Sequence, residues 1–257
     1  MRLQGSRLLA FVLFGLYMAL TGWGRQTAQT QTATSAPKFT MLVFTKTTVY
    51  RHESIPTGIM ALKALGAQHN FQVDASEDAT VITPENLARY RVVIFLNTSG
   101  DILDAGQQAA FERFIQRGGG FVGIHSATDT EYEWPWYEQL IGAYVVNHST
   151  IQAATVKVLD ASHASTKPLP ATWIRHDEWY NFPSAPNPTV QVLLSIDETT
   201  YTGGSMGEHH PISWYHQYDG GRAWYTAMGH TTESYHEPLF LQHILGGIMW
   251  AAGATTD

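Results

Sequence analysis

His125 and Ser126 close a run, FIQRGGGFVGIHSATD (114–129), laid out to place reactive side chains on a sharp turn. The end of an amphipathic helix leads into Gly118-Gly119-Gly120, where glycine permits positive φ and a tight reversal. Phe121 to Ile124 is apolar enough for a parallel strand covered on both faces. His125 and Ser126 then stand where the strand stops, at the edge where open α/β sheets bind ligands. A strand ending in a reactive residue on an abrupt turn is the layout of a nucleophile elbow. Histidine there offers proton transfer or metal ligation. Ser126 would act as a nucleophile only with a base and an oxyanion hole beside it.

The chain carries 12 histidines, and several follow predicted strands: His52, His125 and His230. Imidazole suits zinc, iron, copper or nickel, and a site needs three or four ligands converging from different loops. A divalent metal is the candidate cofactor, with His125, His210 and His230 as candidate ligands. The spacing matches no compact template: there is no HExxH, and His209 and His210, being adjacent, point apart. The alternative is a set of hydrogen-bonding groups in a polar pocket. A second cluster is His176-Asp177-Glu178-Trp179-Tyr180. Carboxylates beside histidine and aromatics can transfer protons when burial raises a carboxyl pKa, or hold sugar hydroxyls under stacked rings. Its alternative is a solvated loop with aromatic anchors. The third cluster is Gly207 to Trp214, where Pro211 fixes the turn, followed by Gly229-His230-Thr231. Glu53 either faces the same edge or is a first-turn carboxylate favoured by the helix dipole. Trp134, Trp136 and Tyr137 are candidates for a pocket wall or for core.

These residues need a frame, and the spacing predicts one. Thr40–Phe44, Phe71–Asp74, Val92–Leu96 and Phe121–Ile124 read as strands, with helices over Glu53–His69 and Ala105–Arg117 between them. That alternation indicates βαβ units and a mostly parallel sheet. Beyond the elbow the pattern predicts a short helix at Trp134–Ile141 and strands at Ala153–Leu159, Val190–Ile196 and Pro211–Tyr218. A hairpin turn at Tyr218–Arg222 leads into Ala223–Met228, and a closing helix spans Leu239–Trp250. The 257 residues suffice for one α/β domain. A net charge of −7 and the lack of any Lys/Arg run argue against nucleic acid. The absence of cysteine excludes disulfides, thiolate metal sites and a cysteine nucleophile. Arg2 and Arg7 flank an apolar run from Leu8 to Leu20, too short to span a bilayer comfortably. Residues 1–24 therefore read as a signal peptide, or else as an uncleaved N-terminal anchor, and 25–38 as a disordered spacer. The expected location is periplasmic or extracellular, with the folded domain over 39–257.

Taken in order, Tyr50-Arg51-His52, GGGFVGIHSATD, WPWY with Leu140-Ile141-Gly142, His148, DEWYNF, HPISW and GGRAWYTAMGH resemble the ThuA-like (trehalose utilisation) family. That family belongs to the class I glutamine amidotransferase-like superfamily, and the resemblance spans Phe39 to Gly253. It implies an α/β, flavodoxin-like fold: a mostly parallel central sheet flanked by helices, with an additional antiparallel hairpin region. Amidotransferase members place a cysteine at the elbow and a histidine after a later strand. His125 takes the first position here and His230 the second, so glutamine hydrolysis through a thioester is chemically closed. The family name implies glycosides such as trehalose, or 3-keto derivatives made by a partner sugar oxidoreductase. A ketone acidifies the neighbouring C–H, so a base can start elimination of the glycosidic oxygen, and a metal can polarise the ketone. On this reading His125, His230, Asp177 and Glu178 are catalytic. His52, Glu53, Ser126, His148 and His210 bind the carbohydrate, and Trp179 and Trp214 stack on its ring. The alternatives are a non-catalytic carbohydrate-binding protein using the same cleft, or a scaffold subunit for an oxidoreductase.

Overall fold

The computed structural model describes residues 36–183 and 186–254. The expected signal segment 1–24, and the spacer up to residue 35, lie outside the described residues. The strands are β1 (Thr40–Phe44), β2 (Gln72–Ser76), β3 (Val92–Leu96), β4 (Gly120–Ile124), β5 (Asn147–His148) and β6 (Gln152–Val158). They continue with β7 (Thr172–Asp177), β8 (Tyr180–Asn181), β9 (Gln191–Asp197), β10 (Pro211–Tyr218) and β11 (Gly221–Thr226). The helices are α1 (Ile55–His69), α2 (Pro84–Leu87), α3 (Ala105–Gln116), α4 (Pro135–Ile141) and α5 (Pro238–Ala252).

Nine strands make one sheet in the order β2-β1-β3-β4-β11-β10-β9-β6-β7. From β2 to β11 the neighbours are parallel; from β11 onward they are antiparallel. The expected hairpin region is thus the far half of the same sheet. β5 and β8 pair separately. The central strands β3 and β4 are wholly buried, as their unbroken apolar sequences require when both faces are covered. α5 packs against β4 and β11.

Only Gly118 of the glycine triplet has positive φ, at +89°. The other two are needed for close approach. A Cβ on Gly119 would sit 2.6 Å from the Phe114 carbonyl, and one on Gly120 would collide with the Ala251 carbonyl of α5. Between β10 and β11, Asp219 and Gly220 both have positive φ, +46° and +91°, as a two-residue type I′ turn demands.

Beside the two-residue β5 and β8, β7 is the strand that sequence patterning did not predict. Thr172-Trp173-Ile174-Arg175-His176-Asp177 alternates, but Arg175 and Asp177 point inward while Ile174 is 75% exposed. Polarity therefore reads in reverse, and the segment resembles a solvated loop until its ion pair is seen. Arg175 and Asp177 pair at 3.3 Å, both buried.

Candidate metal centre

His125 begins a single turn of 3-10 helix directly after β4, with φ at +51°. Positive φ in a non-glycine residue is uncommon, and such backbone conformations gather at functional sites. Its ring is fully buried. Nδ1 lies 2.7 Å from the Ala227 carbonyl, which can only accept, so Nδ1 carries the proton and Nε2 presents its lone pair. Three groups face that lone pair: Tyr180 Oη at 2.9 Å, His230 Nδ1 at 3.2 Å and Glu178 Oε2 at 3.4 Å.

His230 Nδ1 is itself 3.2 Å from Glu178 Oε2. These three atoms form a near-equilateral triangle. Ligands on a tetrahedral ion with bonds of ~2.1 Å stand roughly 3.4 Å apart, so the triangle has the size of one face of such a shell. His52 completes the group, its ring edge-on to His125 at 4.8 Å and to His230 at 4.9 Å between centroids. One ligand atom from each of His52, His125, Glu178 and His230 lies within 4.8 Å of all the others. Three imidazoles and a carboxylate suit a borderline divalent ion. Facing lone pairs and a carboxylate oxygen repel unless a proton or a cation stands between them.

The electrostatics agree with that donor set. Burial, with repulsion from His125 and His230, pushes the His52 pKa down to about 2. Burial pulls the Glu178 carboxyl up, but the imidazoles of His125 and His230 beside it outweigh this and hold the group well below the usual carboxylate range. Burial draws His230 down, and its hydrogen bond to Glu178 reverses this to a net rise. His52 is held neutral and Glu178 ionised, the states in which each binds a metal. The second layer is built as well. Ala227 O fixes the His125 tautomer, and His148 Nδ1 donates to the other Glu178 oxygen at 2.9 Å. Ser126 Oγ lies 3.5 Å from His52 Nδ1. Outer partners of this kind orient ligating groups. The cluster opens into a cavity of about 450 Å³ walled by Tyr50, Asp129, Tyr132, Val146 and Tyr180.

The ThuA family model, described as trehalose utilisation, matches residues 40–251. The chain belongs to the ThuA family. Among solved structures, a ThuA-like protein of Bacteroides uniformis is 27% identical, with a TM-score of 0.74 over 85% of this chain and 93% of that one. A ThuA-like protein of Parabacteroides merdae is 21% identical, with a TM-score of 0.72 over 86% and 92%. A β-galactosidase of Bacillus circulans sp. alkalophilus, 14% identical, has a TM-score of 0.54 over 84% of this chain but 31% of its own. The last two show the fold alone. No curated protein matches significantly. ThuA membership brings the glutamine-amidotransferase-like fold expected from the motifs, and with it the central elbow that here carries His125. At the family level it ties the chain to trehalose utilisation.

In this ThuA chain the structure gathers His52, His125, His148, Glu178 and His230, with Ser126 behind His52. Five expected residues stand elsewhere. Asp177 is fully buried and lines no cavity with the ligands. It accepts from the backbone N–H of Gly229 at 2.8 Å and of His230 at 3.1 Å, and so holds the His230 loop. His210 is hydrogen-bonded at both ring nitrogens, Nδ1 to Glu198 Oε1 and Nε2 to the Tyr180 carbonyl, each at 2.7 Å, which leaves no nitrogen for a metal. Trp179 and Trp214 are core: their Nε1–H groups donate to the carbonyls of Gln152 at 3.0 Å and Ile141 at 2.8 Å. Buried indoles so anchored cannot stack on a ligand. Glu53 is exposed in the turn before α1, outside the cavity wall. Tyr180 and Asp129 were quoted in motifs but given no role. Their one available signal is position: Tyr180 stands two residues after Glu178, and Asp129 four after the elbow histidine.

Proposed function

We propose that this ThuA-family chain is a metal-dependent enzyme acting on a glycoside, or its 3-keto derivative, of the trehalose type. The observation that carries the reading is the convergence of His52, His125, Glu178 and His230 beneath a single cavity. Pure binding needs aromatics and neutral hydrogen-bonding groups more than a titratable cluster. When bound, a divalent ion would supply Lewis acidity, polarising a carbonyl or hydroxyl oxygen. The chain's own residues do the rest. His148 and Ala227 O hold the ligands in register, and the Tyr180 hydroxyl donates toward the centre. Tyr50 and Tyr132 offer flat apolar faces at the mouth, of the kind that pack on a sugar ring. A ketone at the 3-position would acidify the adjacent C–H and open an elimination route for the glycosidic oxygen. A sugar oxidoreductase is the class of enzyme that would supply such a ketone.

The test is elemental analysis of the purified chain beside His230→Ala and His125→Asn, asparagine being chosen because it tolerates positive φ. We expect near-stoichiometric divalent metal that falls in both variants, and turnover of trehalose or its 3-keto derivative only by the loaded protein. A metal-free chain that cleaves either sugar at full rate would sink the metal; ligand affinity with no product under any metal would leave a binding protein.

A further inference from the structure

Asp129 follows the elbow and is pinned on both sides of its backbone. Its N–H donates to Ser126 O and its carbonyl accepts from Gly100 N–H, each at 2.8 Å. The side chain lines the same cavity as Glu178 and His148. It is half-buried, and among the described residues no lysine or arginine pairs with it. The Tyr132 hydroxyl donates to Oδ1 at 2.8 Å, while Oδ2 has no hydrogen bond among the described residues. Burial pushes the Asp129 carboxyl above its ordinary range, against the pull of that bond.

Two other carboxylates nearby show what this one is free to do. Glu131 is buried and saturated: it accepts from the backbone of Ile102 at 2.8 Å and Leu103 at 2.7 Å, and from Gln108 Nε2 at 2.7 Å. It ties loops together. Glu178 has both oxygens committed, Oε2 to His125 and His230 and Oε1 to His148. Asp129 keeps an unengaged oxygen on a fixed backbone, in a cavity wall, with its charge partly desolvated. Those are the requirements of a general base: a place in the cavity wall, a raised pKa and no competing partner.

We infer that Asp129 is the proton-transfer residue of this site, taking a proton from the carbon next to the substrate ketone and delivering it to the departing glycosidic oxygen. This rests on the keto-glycoside reading above. The C–H bond breaks and its electron pair becomes a C=C bond. The glycosidic C–O bond breaks, its pair leaves on oxygen, and that oxygen takes the proton from Asp129. No oxidant or reductant is consumed.

The experiment uses the full metal-loaded chain and the 3-keto derivative of trehalose in deuterated water. It follows cleavage and deuterium entry at the carbon beside the ketone. Asp129→Asn should keep its metal and a KM within about 3-fold of the parent while kcat falls ~10²- to 10⁴-fold and exchange stops. Tyr132→Phe should cost about 5-fold, the worth of one hydrogen bond. Asp129→Asn turning over at the parental rate overturns the assignment and leaves the metal centre standing. Loss of metal from that variant also overturns it, by making Asp129 part of the ligand shell. Should the asparagine variant not fold, Asp129→Glu decides: cleavage and exchange slowed together support the base, and both at the parental rate remove it. A parent chain with neither metal nor turnover removes this inference and the reading beneath it together.

Discussion

His52, His125 and His230 stand at the carboxyl edge of the parallel strands, whereas His210, His216 and His243 belong to the antiparallel half and to α5. Burial does not separate the two sets, since His125, His210 and His243 are all fully inaccessible. Their partners do. His216 gives Nε2 to the Leu140 carbonyl at 2.9 Å and Nδ1 to Thr189 Oγ1 at 3.3 Å. His243 Nδ1 donates to the Ser165 carbonyl at 2.9 Å, and its Nε2 faces Ser213 Oγ at 3.3 Å. Each ring in that half is finished by its own neighbours and acts as a joint between elements. At the elbow edge, His125 commits Nδ1 to the Ala227 carbonyl and turns Nε2 toward His230 and Glu178, while His230 turns Nδ1 to the same point. A buried histidine is therefore no functional signal; a buried histidine whose second nitrogen meets other acceptors is.

The sharpest break of this comparison is to remove one polar group from each region. Glu178→Gln takes the charge from the point where His125 and His230 converge. Its metal affinity should fall by more than the ~10- to 100-fold that loss of an outer partner costs, with the fold retained. His210→Ala should leave metal content unchanged and lower stability by about 1–3 kcal/mol, the cost of stranding buried polar partners. Elemental analysis and urea unfolding read the two effects separately. Metal retained in Glu178→Gln, or lost in His210→Ala, would reverse the roles assigned to the two edges.

A middle case is Asp177, which touches no ligand ring yet holds the His230 backbone. It also pairs with buried Arg175 and accepts from Ser234 Oγ at 3.2 Å. Asp177→Asn should weaken metal binding by about 10- to 100-fold and, by stranding part of the Arg175 charge, cost about 3–5 kcal/mol of stability. Isothermal titration with zinc beside a urea melt checks both. A variant that loses stability but binds zinc as the parent does would make the clamp purely structural.

The comparison also explains what could be read from sequence. β1, β3 and β4 were legible because strands buried on both faces carry unbroken apolar runs, and the glycine triplet announced the elbow. His125 was legible because it directly follows such a strand, and His230 because it stands just beyond the strand that the hairpin turn leads into. β7 was hidden because its inward positions hold Arg175 and Asp177, and no hydropathy pattern anticipates an ion pair that only tertiary contact completes. Trp179 and Trp214 looked like stacking platforms for the same reason. Whether an indole faces a ligand or the core depends on whether a carbonyl waits for its N–H, and those of Gln152 and Ile141 lie 27 and 73 positions away. The grouping of His52 with Glu178 joins loops far apart along the chain, which adjacency in sequence cannot show.

The smallest expected effect concerns buried histidines away from the candidate metal centre. Burial pushes the His243 pKa down to about 3 and that of His163 down to about 4, against an ordinary value near 6.5. With the folded value below the unfolded one, the unfolded chain binds more protons between them. Stability held above pH ~6.5 is therefore lost as pH falls through that value toward the folded ones. Each such group steepens the loss by at most about 1.4 kcal/mol per pH unit. His243→Gln, far from the candidate metal centre, should flatten the decline in urea midpoint between pH 6.5 and 4 relative to the parent, whatever it costs in absolute stability. An unchanged slope would mean that the His243 ring is not kept neutral by its surroundings. The contrast between the two halves would then rest on hydrogen-bond partners alone.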